Sequence, residues 1–357
     1  MLAGMLQQAG YCSLVVDCFA DTDTSAKHAL RVNSLALADI RDAVEFMIRQ
    51  YAVKHFVYGS GFETQAASLA YLESRLHNWG NSFEIFSRFL DKPTFFTHLH
   101  QLNIPHPQTV FSPPHDGSDW LIKPLQGSGG TDIGRFQPAQ TVDSLKYYWQ
   151  CYQSGGVYSV LFAANRRQIQ CLGFNQQWTC QQHGHEFVFA GVVNQADLDS
   201  SIQTTIQAWL TRLIRLYPLQ GLGSLDFIVQ DGRCFFLEIN PRIPASAQLY
   251  GAQAMQLHLV SCSGRSMEYV GTSVARGYQI VYLEQDILIS KEWCWPSWVV
   301  DRPAGGVFIG KGLPVCSIIA GGKNANQVRH RLQRLKNIFE TLLLTGLYPH
   351  AISGKRQ

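Results

Sequence analysis

Apolar positions recur at helical spacing in the first ten residues, where Leu2, Met5, Leu6 and Ala9 share a face and Gly10 ends the run. A short apolar run over 13–17 then predicts a buried strand, and the polar stretch 21–25 a loop. Helical periodicity returns over 37–50. An apolar strand over 55–58, closed by Gly59, Ser60 and Gly61, and a third helix over 63–77 follow. Strands alternating with helices predict a parallel sheet here. A doubly wound unit normally opens on a strand ending in a glycine turn. This pattern opens on a helix, so the first strand is expected to be missing or to lie upstream.

The pattern changes after residue 80. Residues 83–102 read as two helices, with Pro93 near the start of the second, where proline is tolerated. Residues 104–107 are an extended breaker. A strand over 120–123 runs into the glycine-rich loop 124–130, and another strand covers 158–162. Residues 168–192 alternate as a hairpin. A helix over 200–216 precedes a second hairpin, 223–229 and 234–240, turning at 231–233. The last third predicts strands near 279–283 and 314–320 and an amphipathic helix over 326–344.

Composition narrows the class. With 357 residues, 46% hydrophobic and 15% charged, the chain has ample material for a core and is not a disordered or disulfide-stapled scaffold. Its net charge of +3 gives no basic nucleic-acid stripe, so no nucleic-acid partner is expected. No apolar run approaches the ~20 residues of a membrane span, and no signal peptide is read at the start. The nine cysteines contain no CxxC pair and several sit in apolar runs, which suits reduced thiols and a cytoplasmic location.

Candidate chemistry concentrates in the second hairpin. Alternation puts Glu238 and Asn240 on one face, with Leu237 and Ile239 turned to the core. An odd-length turn centred on Gly232 would set Asp226 opposite Glu238. Two carboxylates and an amide oxygen then converge, a hard-oxygen set suited to Mg²⁺. Arg242 follows two residues after Asn240. The plain alternative is a hairpin with a solvated polar face. Lys123 followed by Gly127, Ser128, Gly129 and Gly130 offers a point charge beside backbone N–H groups free to turn onto phosphate oxygens, though neither a Walker A loop nor GxGxxG is present. His183 and His185 would share one side of a strand, but with no third ligand evident an exposed turn is the simpler reading. His98 and His100 are read as surface residues, and Cys316 as a buried structural thiol.

Taken in order, these pieces resemble the ATP-grasp superfamily. The match runs from Leu90-Asp-Lys92-Pro through Trp120-Leu-Ile-Lys123-Pro and its glycine flap, a hinge at 149–152, Leu225-Asp226-Phe, and Glu238-Ile-Asn240-Pro-Arg242. It covers roughly residues 80–260. The resemblance implies a mixed α/β and α+β chain. A Rossmann-like pre-ATP-grasp domain would occupy 1–80, one grasp subdomain with its flap 81–155, and the other, with a C-terminal extension, 156–357. It further implies that Lys92 and Lys123 touch ATP phosphates. Gln150, Cys151 and Tyr152 would line the adenine pocket largely through backbone groups, although the family's hinge often carries a Glu where Gln150 stands. Asp226, Glu238 and Asn240 would hold Mg²⁺, with Mn²⁺ a possible substitute, and Arg242 would stabilise charge developing on the substrate.

The activity so implied is an ADP-forming ligase. A carboxylate is activated as an acyl phosphate and joined to an amine, both small molecules. Residues 270–357 look like those of uncharacterised predicted carboligases of bacterial one-carbon metabolism. That points to synthesis of a methanopterin- or methanofuran-like cofactor. A different class remains open: an ATP-binding module without ligase activity, sensing nucleotide or assisting assembly of another enzyme. A biotin-type carboxylase fits less well, because no biotinyl segment accompanies the grasp.

Overall fold

The computed structural model describes residues 1–138, 142–265, 268–271 and 274–345. An eight-stranded antiparallel sheet organises the molecule. Across it the strands run Arg233–Asn240, Gln220–Gln230, Gly156–Asn165, Ile169–Gln182, His185–Asn194, Ala275–Tyr282, Pro314–Gly322 and Val299–Val300. Alternation feeds two cores. In the strand Gly156–Asn165, Val160, Phe162 and Ala164 enter one, and Leu161 and Ala163 the other. The first face is covered by the helix Ser200–Leu216 through Ile206, Trp209, Leu210 and Leu213, all buried. The second is covered by the helix Gly251–Cys262 through Ala254, Met255 and Leu257. With both faces dry there, residues 160–164 are apolar without a break.

A smaller antiparallel sheet, ordered Thr109–Val110, Tyr147–Cys151, Trp120–Pro124 and Gly134–Arg135, stands apart from the large one. Two capped helices precede it in the chain. Ser82 accepts from the Ile85 N–H at the start of Phe83–Leu90, and Asp91 from the Thr94 N–H at the start of Lys92–Gln101. Pro93 sits in the first turn of the second helix, where its missing N–H costs nothing. The expected hinge at 149–152 falls largely on the strand Tyr147–Cys151, with Tyr152 just past its end.

In residues 1–80 the described strands form two separate parallel pairs rather than one continuous doubly wound sheet. Leu14–Asp17 lies beside His28–Arg31, and His55–Phe56 beside His77–Asn78. The helices Leu37–Tyr51 and Ala66–Arg75 pack on them through Ile40, Val44, Leu69 and Leu72. The expected helix over 63–77 is shorter, because a 3₁₀ turn, Phe62–Thr64, precedes it and His77 is in a strand. The opening helix Leu2–Gln8 buries Met5 in the same core as Ile243 and Met255. The long final helix Ala325–Thr345 covers the far end of the large sheet with Val328, Leu332 and Phe339. Among the described residues, no helix is long and apolar enough to cross a membrane.

Candidate active site

The hairpin Gln220–Gln230/Arg233–Asn240 brings the acidic residues together by a route the spacing did not suggest. Its turn has two residues, Asp231 and Gly232, both at positive φ (49° and 72°), the geometry of a tight type I′ hairpin. That turn pairs Phe227 with Phe236. A bulge then takes Leu237 out of register, so that Asp226 pairs with Glu238 and Leu225 with Ile239. The expected facing of Asp226 and Glu238 is present, but the odd-length turn is not. The extra residue has been moved from the turn into the strand.

Five polar side chains meet there. The Asn240 side-chain nitrogen lies 3.4 Å from each of Ser224 Oγ, Asp226 Oδ2 and Glu238 Oε1, and Gln177 Nε2 lies 3.4 Å from Asp226 Oδ1. Burial, then the charge of Glu238, push Asp226 well above the usual carboxylate range. Burial would raise Glu238 as well. Lys92, Lys123, its hydrogen bond to Asp226 and Arg242 together hold it below its ordinary value instead. Two carboxylates this close want a shared proton or a cation between them. No three His, Cys, Asp or Glu side chains meet among the described residues. The two carboxylates fit a hard cation that takes its remaining ligands from water and phosphate, while Asn240 turns its amide nitrogen toward them and its oxygen toward Arg242.

Two lysines face this pair. Lys92 is the first residue of the capped helix Lys92–Gln101, and it lines a small cleft with Glu63, Gln126, Gly127, Glu238 and Asn240. Lys123 lies on Trp120–Pro124. Trp120 and Ile122 turn into a core with Trp149 there, which sends Lys123 to the opposite face. Its Nζ donates to Gln150 Oε1 at 2.8 Å, and Gln150 Nε2 donates to Thr109 Oγ1 at 3.0 Å. Burial lowers both ammonium groups. Lys123 is brought to about 8, with Lys92 adding to the fall and Glu238 opposing it.

Arg242 is held by a residue the sequence reading missed. Its Nε donates to Glu63 Oε1 at 2.9 Å, with the side chains only 10% and 13% exposed, and its Nη2 donates to Asn240 Oδ1 at 3.0 Å. Glu63 also accepts the Gly61 N–H at 2.7 Å. Asn81, buried, donates to the Pro241 carbonyl and accepts from the Gln220 N–H. The segment before the grasp thus clamps both sides of the turn carrying Arg242. The available signal was an acid set in a glycine turn, Gly59-Ser-Gly61-Phe-Glu63.

Other candidates fall outside the cleft. Gly127 lines it, but the rest of the flap is docked on the strand His185–Asn194, where the Phe189 N–H donates to the Gly129 carbonyl at 2.9 Å. Gly130 has φ +75°, and a Cβ there would overlap the Phe187 carbonyl, so only glycine fits. Ser128 is exposed. Cys151 packs with Trp120, on the face away from Lys123. The Cys151 and Tyr152 N–H groups already donate to the carbonyls of Gln108 and Asp119, and the Tyr152 ring stacks under Arg135. Neither N–H is free for a base. His183, at the tip of its hairpin, presses against Gly312. His98 is not a free surface residue, since its Nδ1 lies 2.7 Å from the Tyr217 hydroxyl. Cys316 is buried, and burial pushes its thiol well up.

A large antiparallel sheet, a smaller one carrying a glycine flap, and a cleft of lysines facing carboxylates define an ATP-grasp fold. Residues 90–246 match the family model of the ATP-grasp domain, and that segment is an ATP-grasp domain. An uncharacterized protein of Methanocaldococcus jannaschii is 22% identical over 209 residues, which are 56% of this chain and 50% of that protein. The chain spans about half the length of this curated relative. Among solved structures, an L-amino acid ligase from Bacillus licheniformis superposes with a TM-score of 0.66 at 12% identity, covering 92% of this chain and 97% of that one. The N5-carboxyaminoimidazole ribonucleotide synthetase of Thermotoga maritima gives 0.64 at 13%, covering 95% and 96%. Rhizobium etli pyruvate carboxylase gives 0.70 at 11%, covering 93% of this chain but 37% of the other. At these identities the likeness extends to the fold alone.

Proposed function

We propose that the cleft is the site of an ATP- and Mg²⁺-dependent ligase that activates a carboxylate as an acyl phosphate and joins it to an amine. The observation that carries this reading is the opposition of Lys92 and Lys123 to the Asp226–Glu238–Asn240 group, with Arg242 beside it. Asp226 and Glu238 would hold Mg²⁺, joined by Asn240 once its amide turns its oxygen from Arg242 to the ion, and the metal would supply charge neutralisation at the phosphates. Lys92 and Lys123 would take the phosphate oxygens as point charges. The substrate carboxylate oxygen attacks the γ-phosphorus and ADP leaves. The amine then attacks the acyl carbon and phosphate leaves with that oxygen, one proton being lost from nitrogen.

Arg242 has two of its three nitrogens engaged by Glu63 and Asn240, which leaves Nη1 for the substrate carboxylate or the oxyanion formed from it. A fixed guanidinium of this kind favours chemistry over bare nucleotide binding. The flap 126–131 would open to admit ATP and close over the acyl phosphate to exclude water. Gln150 is the residue of 150–152 that shares the cleft face, so we assign it to ordering Lys123 beside the nucleotide. On this reading 1–80, 81–155 and 156–357 act as three units, the first bracing Arg242. The finer role in one-carbon cofactor synthesis rests on the sequence resemblance alone.

The test is ADP release with a panel of carboxylates and amines. Glu238→Ala and Asn240→Ala should lose Mg²⁺-dependent turnover by about 10²-fold or more with the fold kept, and Lys123→Ala should weaken ATP binding about tenfold. Normal turnover in the first two would overturn the site.

A further inference from the structure

A second concave surface lies at the far end of the large sheet. A groove of about 730 Å³ opens between the end of the strand Pro314–Gly322 and the first three turns of the helix Ala325–Thr345. Lys323, Gln327, His330, Arg331 and Arg334 line it along one helix edge. Arg331 is fixed there by donating from Nη1 to the Gly321 carbonyl at 3.2 Å. Lys323, His330 and Arg334 have no side-chain hydrogen bond or carboxylate partner among the described residues. None of the residues outside the described ones is an Asp or Glu, so no acidic side chain there neutralises the groove.

Charge is concentrated here. Residues 323–345 hold five Lys or Arg and one Glu, a surplus larger than the +3 of the whole chain. The rest of the molecule is close to neutral. Of these five cations Lys323, Arg331 and Arg334 line the groove, whereas Arg329 lies over the Trp178 ring and Lys336 pairs with Glu340. The groove is remote from the catalytic cleft: Pro314–Gly322 is six strands from Arg233–Asn240, roughly 25–30 Å at ~4.8 Å per strand.

We propose that this groove is a second anion site, holding a small ligand that carries two or more phosphate groups. Arg331 and Arg334, three residues apart on the helix, sit about 5–6 Å from one another at their Cβ atoms, and Lys323 lines the same groove, which suits one ligand with several anionic groups better than a monoanion. The Arg forks match phosphate oxygens in pairs. The volume is that of a small-molecule pocket, open on one side to solvent.

Calorimetry with inorganic triphosphate on the full chain tests it, using Lys123→Ala to weaken binding in the cleft and the groove substitutions to assign what remains. The Lys123→Ala protein should still bind triphosphate. Adding Lys323→Gln or Arg334→Gln, both exposed positions, should weaken that binding at least tenfold with the melting temperature unchanged. Absence of binding to Lys123→Ala at millimolar triphosphate would overturn the proposal, and so would binding indifferent to the two groove substitutions. A twenty-nucleotide RNA that binds more tightly than triphosphate, and loses affinity with the same substitutions, would overturn it in favour of a nucleic-acid surface. Failure here leaves the ligase reading untouched, since the readout involves no turnover.

Discussion

Lys123 is held by a neutral partner, and that sets its titration. The Gln150 carbonyl oxygen orders the ammonium without adding a charge, so burial leaves it at about 8. Only the protonated form attracts a triphosphate. ATP affinity should therefore be flat below about pH 7 and fall as the pH rises through 8, and binding at pH 8.5 should take up protons. Calorimetry in buffers of different ionisation enthalpy measures that uptake. Gln150→Glu supplies a charge that raises the lysine, so uptake at pH 8.5 should disappear. Equal uptake in both proteins would contradict this account of Lys123. At this scale the sequence was most legible where one short stretch carries the chemistry. Asp226, Glu238, Asn240 and Arg242 fall within seventeen residues, and Glu238 and Asn240 alternate onto one face of their strand. Glu63 was not legible, because its contact with Arg242 spans 179 positions and no local period announces it.

Elements follow the same division. The helix Ser200–Leu216 was readable to its ends because one stripe is buried and the other solvated. The helix Gly251–Cys262 was not, because it is wedged under the sheet and its apolar residues follow no single stripe. The bulge at Leu237 is also silent in the pattern, yet it decides which face Glu238 takes. The flap is the element whose sequence meaning is most directly physical. Gly130→Ala would force a Cβ into the Phe187 carbonyl at positive φ and undock the flap. We expect the Phe189 amide, which donates to the Gly129 carbonyl, to exchange its hydrogen about tenfold faster or more in that variant, corresponding to ~1.4 kcal/mol. Unchanged protection at Phe189 would mean that the flap is not held by this contact.

Across the whole molecule, residues 1–81 are tied to the rest of the chain at several separate points. Glu63 holds Arg242, Asn81 bridges Pro241 and Gln220, His258 reaches the Trp79 carbonyl, and Thr22 pairs with Arg302. The last of these lies beside an acidic group. Asp21 is raised from 3.8 to about 6 by burial, then by Asp301, Asp17 and Asp23. The folded chain therefore holds this proton more tightly than the unfolded one. The stability it contributes is complete below about pH 4 and is lost as the pH rises through 6. Discounted for partial exposure, the effect is about 1 kcal/mol. Asp21→Asn should thus match the parent in urea at pH 3.5 and exceed it at pH 7.5, and an equal gap at both would contradict the assignment. The central claim concerns the fate of one oxygen atom. Carboxylates labelled with ¹⁸O should pass a single label into the phosphate released with ADP when an amine is present, and Arg242→Ala should abolish the transfer. Released phosphate carrying only solvent oxygen would mean that the cleft hydrolyses ATP and activates no carboxylate.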